Sequence, residues 1–216
     1  MKTTLFRACG AFVLAGFSLG AQAGLVASNN QYGVFGASNG QRQLIVDTHG
    51  SIADLDLLVS ISKCNDPASG PQGGACRAAG NPYENEMYLR LTSPTGLTVN
   101  LINTNTFSSG GNGIGQVELR FDDEGAALGS RLQAGRFRPV GNLGAFDGLD
   151  MFGTWNLLIG DGVNGDPLEY FYAQLHVTVE DEVKPVSEPP AFRLLAIGRR
   201  GLLAGWPGGR GAVSAA

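Results

Sequence analysis

Two histidines are the residues of this sequence that could act as a general base in catalysis. A serine protease needs a nucleophile, a base and an orienting acid, and His49 and His176 are the two histidines available. His49 lies in "VDTHG" with no Gly-rich nucleophile segment, and His176 alternates with apolar neighbours on a predicted strand, which places it at the surface. Because partners for a triad are not found, we expect a protein that is not an enzyme.

Clustered carboxylates favour a metal site instead. Asp122, Asp123 and Glu124 form an acidic run at the end of a predicted strand, where Arg120 and Arg138 could pair with it or be ordinary solvated residues. Oxygen ligands on turns suit Ca²⁺, which is available outside cells, although an aspartate in a turn can equally cap its own backbone. We expect calcium first at the acidic run, and no other cofactor. Further candidates lie in Gly-rich turns, namely Asp147, Asp150, Asp161 and Asp166.

Cys64 and Cys76 are predicted to form a disulfide. The third cysteine, Cys9, lies in the N-terminal segment, which leaves an even pair in a chain that we expect to be exported. The stretch between them, "NDPASGPQGGA", consists of turn formers, and closing such a loop stabilises the fold by about 2–3 kcal/mol. A zinc site is less favoured because two cysteines without a nearby histidine fall short of four ligands.

The N-terminus predicts export. Lys2 and Arg7 precede the apolar stretch "ACGAFVLAGFSLG", and Ala21 and Ala23 supply the small residues that a signal peptidase requires. The apolar run is shorter than the roughly 18–20 residues of a transmembrane helix, so we interpret residues 1–23 as a cleavable signal peptide. The formal net charge of −4 gives no electrostatic case for nucleic-acid binding.

The elements that position these residues are predicted to be strands. Segments such as "SIADLDLLVSIS" and "NEMYLRLTSPTGLTVNLI" alternate apolar and polar residues with period two. In "SPTG", Pro94 and Gly96 favour a tight turn. With 33 glycines and no amphipathic helix between residues 43 and 180, the pattern predicts an all-β, jelly-roll-like β-sandwich. Residues 24–42 are polar and Gly-rich, and we interpret them as a loose lead-in.

Five short blocks occur in order within residues 43–180. They are Ser93-Pro94-Thr95-Gly96, Phe121-Asp122-Asp123-Glu124, Phe137-Arg138-Pro139, the segment from Leu143 to Gly148, and Gly153-Thr154-Trp155. Together they resemble the P domain (P/Homo B domain), the β-sandwich that follows the subtilisin-like domain of proprotein convertases. The sequence departs from the family's pattern at residues 63–86 and at Gly125. The resemblance implies a β-sandwich that accompanies a separate catalytic domain.

Residues 181–216 form a linker and a tail that contains "VSEPPAFRLLAIG". The tail resembles the PEP-CTERM sorting signal of exported proteins in Gram-negative bacteria, but Ser187-Glu188-Pro189 replaces Pro-Glu-Pro and Arg193 interrupts the apolar run. The resemblance implies delivery to the cell envelope or the extracellular space, with membrane contact limited to the signal peptide and this tail. A low-order C-terminus or a frame-shifted end are the alternatives.

The sequence therefore predicts a non-catalytic, exported structural or interaction module whose partner is a protein or the extracellular matrix. One alternative is an accessory to subtilisin-like serine proteolysis, which stabilises or targets a separate protease. Another is a carbohydrate-binding module, which needs an exposed aromatic platform. Trp155 begins the apolar strand "TWNLLIG", so we interpret it as part of the core, with sugar stacking as the less favoured role.

Overall fold

The computed structural model describes residues 23–66, 68–108 and 113–180, all within the first of two compact units, Met1–Glu180. The predicted signal peptide, apart from its last residue, and the predicted sorting tail lie outside the described residues. Over these ranges the chain forms ten strands and two single-turn 3₁₀ helices, and none of its helices is long and apolar enough to cross a membrane.

The all-β sandwich predicted from the sequence is confirmed. The 3₁₀ helices are Glu84–Glu86 and Leu143–Phe146. In chain order the strands are β1 (Gly24–Asn29), β2 (Gly33–Phe35), β3 (Ser38–Val46), β4 (Ile52–Lys63), β5 (Met87–Thr92), β6 (Thr98–Ile102), β7 (Ile114–Ala127), β8 (Gly135–Arg138), β9 (Gly153–Asp161) and β10 (Leu168–Val179).

The strands form two sheets that enclose one hydrophobic core. The larger sheet has the order β1-β10-β4-β7-β8, with β2 also paired to β10, and the smaller sheet has the order β3-β9-β5-β6. Every pairing is antiparallel except that of β7 with β8. Because side chains alternate along a strand, each strand of the larger sheet presents one face to the core and one to the outside.

Strand β4 shows this alternation, as the sequence predicted. Leu55, Leu57 and Val59 are buried in the core, while Asp54 and Asp56 project from the opposite face. The predicted turn between β5 and β6 is also present: the backbone N–H of Gly96 donates to the carbonyl of Ser93 at 3.0 Å, and Gly96 has φ of +89°. Glycine adopts this left-handed conformation without steric cost.

Residues 24–42 differ from the loose lead-in expected from their composition. Strand β1 pairs with β10, from Gly24 opposite Val177 onwards, and β2 pairs with the other end of β10. Pairing at the edge of a sheet uses backbone groups, so it does not require the apolar alternation by which strands are recognised in a sequence. The segment also contributes Phe35 to the core.

Trp155 lies in the core, in agreement with its sequence interpretation. Its side chain is 0% exposed, its Nε1 donates to the carbonyl of Met151 at 2.9 Å, and its ring makes an edge contact with Phe146. A buried indole cannot stack on a sugar, so Trp155 supplies no platform for carbohydrate binding.

The predicted disulfide between Cys64 and Cys76 is present, with a Cα–Cα distance of 5.5 Å. The loop that it closes is also tied to β10 through Glu169, whose carboxylate accepts hydrogen bonds from the backbone N–H groups of Ser69 and Gly70 at 2.8 and 2.7 Å. The loop is therefore fixed to the larger sheet both covalently and by hydrogen bonds to a buried charge.

Candidate functional site

An open cleft of about 630 Å³ lies on the outer face of the larger sheet. Its walls come from four neighbouring strands and from Ala23, which precedes β1. Most of the lining residues are polar or charged. Six of the lining residues are ionisable, namely Asp54, Asp56, Arg120, Asp122, Arg136 and His176. The concentration of charged groups in one concave place makes it the candidate functional site.

Strand register brings these residues together. His176 on β10 pairs with Asp56 on β4. The antiparallel pairing of β4 with β7 places Asp56 next to Asp122. The parallel pairing of β7 with β8 sets Arg120 beside Arg136. Since all these side chains occupy positions of the same parity, they project from the outer face in one row across the sheet.

A pair of carboxyl groups forms the floor of the cleft. The Asp56 residue is 6% exposed and Asp122 is 2% exposed. Burial, together with the hydrogen bond to Asp122 and its charge, raises the pKa of Asp56 to about 7. Burial alone would raise the pKa of Asp122 as well, but hydrogen bonds from Arg136 and others lower it to about 2. The pair therefore holds one proton between about pH 2 and pH 7.

Each carboxyl group of the pair is also bound to an arginine. Nη1 of Arg120 donates to Oδ2 of Asp56 at 3.1 Å, and Nε of Arg136 donates to Oδ2 of Asp122. The arginine side chains are 37% and 53% exposed, respectively. Both guanidinium groups line the cleft and are held by buried acids, and Nη2 of Arg136 also lies 3.7 Å from Oε2 of Glu124.

Two buried atoms beside the cleft have no hydrogen-bond partner among the described residues: Oδ1 of Asp56 and Nε2 of His176. Burial and the charge of Arg120 lower the pKa of His176, so its imidazole is neutral at pH 7. His176 lies on the outer face, as predicted, but it is half-buried rather than freely solvated. Unpaired buried polar atoms are costly, and a bound molecule can satisfy them.

The predicted metal ligands do not share one set of partners. Asp122 is bound to Arg136, which also lies 3.7 Å from Glu124, whereas the Asp123 carboxylate accepts hydrogen bonds at 3.1 and 2.7 Å from two backbone N–H groups at the start of Leu143–Phe146. The Glu124 side chain is 68% exposed, and its pKa is raised by a hydrogen bond with Asp122. Successive residues on a strand face opposite ways, so Asp123 points away from the other two.

The aspartates predicted as further oxygen ligands have other contacts. Asp161 and Asp166 both bind Nζ of Lys63. Burial raises the pKa of Asp147, which is not part of that pair. Within the described ranges, no group of three His, Cys, Asp or Glu side chains is arranged to hold a metal ion. Calcium binding stays a prediction from the sequence.

The second histidine forms a surface pair. Nδ1 of His49 lies 2.6 Å from Oδ2 of Asp150, and the imidazole stacks on Phe152 at a centroid distance of 4.1 Å. The hydrogen bond from His49 and two backbone N–H groups lower the pKa of Asp150 to about 2. In the part of the chain that the structure describes, no serine or cysteine side chain forms a hydrogen bond with His49 of the kind a triad needs.

Sequence reasoning missed most of the cleft. Arg136, rather than Arg138, binds the acidic run, and Arg120 binds Asp56 instead. The available signal was the pair of acids at Asp54 and Asp56 on the outward parity of β4. Their partner on β7 depends on strand register across more than 60 residues, which local patterns do not give.

Comparison with known proteins adds little. No family model and no curated protein matches the sequence. Among solved structures, the chain is similar to PfGH50B, with 12% sequence identity over 74% of this chain and a TM-score of 0.31. The match spans 22% of the length of that protein. A similarity at this level carries no argument about function, and the resemblance to P domains stays a prediction from the motifs.

Proposed function

We propose that this protein is an exported, non-catalytic interaction module that holds a partner in the cleft over Asp56 and Asp122. The observation that carries the proposal is the buried carboxyl pair with its two anchored arginines. Burying charged groups costs stability, and an unpaired buried atom adds to this cost. Carboxyl groups with strongly shifted pKa values cluster at functional sites.

The geometry supports binding better than acid–base catalysis. Asp122 is already neutralised by Arg136 and Oδ2 of Asp56 is bound by Arg120, while Oδ1 of Asp56, which has no partner among the described residues, is buried away from solvent. The cleft presents to a bound partner the guanidinium groups of its two arginines, the Asp54 carboxylate and the neutral imidazole of His176. We infer a partner surface that presents both donors and acceptors, such as the polar face of an envelope or matrix protein.

The proposal is tested by filling the cleft in the full-length chain. Thr178 lines the cleft on β10, so Thr178→Tyr blocks it with a residue that strands accept. Thr98→Tyr on β6 is the matched control, because Thr98 is exposed on the other sheet. We expect wild type and Thr98→Tyr to be retained in the cell envelope or matrix fraction, and Thr178→Tyr to be released into the medium.

A third form, which lacks residues 187–216, separates the contribution of the tail from that of the cleft. Equal retention of Thr178→Tyr and the control, with both folded by circular dichroism, would contradict a binding role for the cleft. Recovery of all forms in the cytoplasm would contradict export.

A further inference from the structure

A buried lysine lies between two carboxylates at the end of strand β4, and it is not one of the residues that line the cleft. Lys63 is the last residue of β4, in the larger sheet, and Asp161 is the last residue of β9, in the smaller sheet. Nζ of Lys63 lies 2.6 Å from Oδ2 of Asp161 and 2.8 Å from Oδ2 of Asp166. It also donates to the carbonyl of Asp166. One amine thus joins the two sheets and the loop before β10.

The surroundings of this contact are unfavourable to charge. The side chains of Lys63 and Asp161 are both 0% exposed, and an ion pair removed from water loses much of its hydration energy. Burial and the charge of Asp166 raise the pKa of Asp161, which the hydrogen bond from Lys63 offsets only in part. Nearby, burial and Asp166 also raise the pKa of Glu86, whose Oε2 is buried without a partner among the described residues.

Proton transfer within the hydrogen bond from Nζ of Lys63 to Oδ2 of Asp161 would convert the ion pair into a neutral amine beside a carboxylic acid. These are the two reactants of an amide condensation, held in contact and away from water. Fixing reactants in this way corresponds to an effective concentration on the order of 10⁵–10⁸ M. Exclusion of bulk water also disfavours the reverse reaction, hydrolysis.

We propose that Nζ of Lys63 and Cγ of Asp161 become joined by an intramolecular isopeptide bond. The amine lone pair attacks Cγ, the Cγ–O bond to one carboxyl oxygen breaks, and that oxygen leaves as water. An ammonium and a carboxylate are converted into one amide and one water, so atoms and charge balance without an added reagent. The Asp166 carboxylate is placed to take a proton from the ammonium of Lys63 and return it to the leaving oxygen.

Asp161 is the electrophile rather than Asp166 because of the contacts that each makes. Oδ2 of Asp166 also accepts the backbone N–H of Tyr83, so a second donor holds this oxygen in place. Among the described residues, the one other donor to the Asp161 carboxyl group besides Lys63 is the backbone N–H of Val163, at a long distance of 3.4 Å. The bond would link positions 98 residues apart, directly beside the disulfide at Cys64.

Intact mass spectrometry of the full chain, exported, denatured and reduced, tests the proposal. The wild type is expected to weigh less than its sequence mass by one water, about 18 Da. Lys63→Arg has no reactive amine and is expected to keep its full mass. The difference between these two proteins then exceeds the Lys-to-Arg difference by one water, whatever ends processing has produced.

A near-isosteric variant covers the case in which Lys63→Arg fails to fold. Asp161→Asn is expected to lose ammonia, about 17 Da, instead of water, and so to reach the same mass as the cross-linked wild type. Asp161→Ala is expected to lose nothing. A folded wild type at full mass, or a loss of water that peptide mapping places at another pair, would overturn the proposal. A buried ion pair alone changes none of these masses.

Discussion

Asp56 and Asp122, on neighbouring strands of the larger sheet, share one proton at the floor of the cleft. Burial and Asp122 raise the pKa of Asp56 to about 7, while hydrogen bonds led by that of Arg136 hold the pKa of Asp122 at about 2 against its burial. Two carboxyl groups in contact cannot both ionise without a large repulsion. The contribution of this pair to the free energy of unfolding therefore depends on pH.

The stability of the protein is expected to fall between about pH 4 and pH 7. In an unfolded chain both aspartates titrate near 3.8. Above that pH the native Asp56 still binds a proton that the unfolded chain has lost, so raising the pH favours unfolding until about pH 7. Below it, native Asp122 has already lost a proton that the unfolded chain keeps, so stability also falls from about pH 4 towards pH 2.

Asp56→Asn is expected to remove the loss of stability between about pH 4 and pH 7. The amide keeps the shape of the protonated acid and can donate to Asp122 at any pH, so we expect a melting temperature several degrees above wild type at pH 8 and little difference at pH 4. Asp54→Asn, on the same face of β4, is the control. Melting curves across pH 4–8 measure the effect, and an unchanged slope in Asp56→Asn would show that the shared proton is not at this pair.

Glu169 is expected to be the strongest single anchor of the cysteine-bounded loop. Its carboxylate accepts hydrogen bonds from Ser62, Ser69, Gly70 and Tyr32. Burial alone would raise the pKa of Glu169, but these hydrogen bonds lower it. The stabilising contribution is therefore present above the unfolded value of 4.5 and is lost as the pH falls below it.

Glu169→Gln places an NH₂ group against donors and leaves at least one of them unpaired. We expect a loss of about 2–3 kcal/mol in the free energy of unfolding at pH 7, measured by urea denaturation. Glu118→Gln is the matched control, because Glu118 is exposed on the surface of the larger sheet. Equal stability of the two variants would mean that the loop is held by the disulfide alone.

The strands, the turn at Ser93–Gly96, the buried Trp155 and the disulfide could be predicted because each has a local signal. Alternation gives the parity of β4, turn residues give the hairpin, and two cysteines in a chain predicted to be exported leave one pairing. None of these predictions needs the register between distant strands.

The cleft and the Lys63 cluster could not be predicted, because both depend on distant pairing. Asp56 meets Asp122 only through the register of β4 with β7, and Lys63 meets Asp161 only where two different sheets end on the same side. From sequence alone, a single lysine at the end of an apolar strand is expected to be exposed to solvent. The edge strand β1 was missed for another reason, since backbone pairing leaves little trace in side-chain pattern.

Calcium binding at Asp122, Asp123 and Glu124 is tested by thermal melts with calcium and with chelator. A weak site of the extracellular kind, at ten times its dissociation constant, adds about 1.4 kcal/mol and a few degrees. Glu124→Gln is expected to reduce the rise without breaking the backbone hydrogen bonds that Asp123 makes, whereas Glu118→Gln is expected to leave it unchanged. If millimolar calcium does not shift the melting temperature of the wild type, the three carboxylates serve Arg136 and the backbone only.

Processing at the predicted cleavage site would create a charge beside the cleft. Ala23 lines the cleft, and Gly24 begins β1 opposite Val177. Removal of residues 1–23 therefore leaves the α-ammonium of Gly24 at the rim, where a positive charge favours ionised carboxylates and lowers the pKa of Asp56.

Two measurements check this prediction. Mass spectrometry of the exported protein should identify Gly24 as the first residue. The pKa of Asp56, followed by NMR, should be lower in the mature protein than in a form that keeps two further residues and so moves the ammonium away. N-terminal acetylation of the mature protein should raise the pKa again without changing chain length. If all three forms titrate alike, the new terminus does not act on the carboxyl pair.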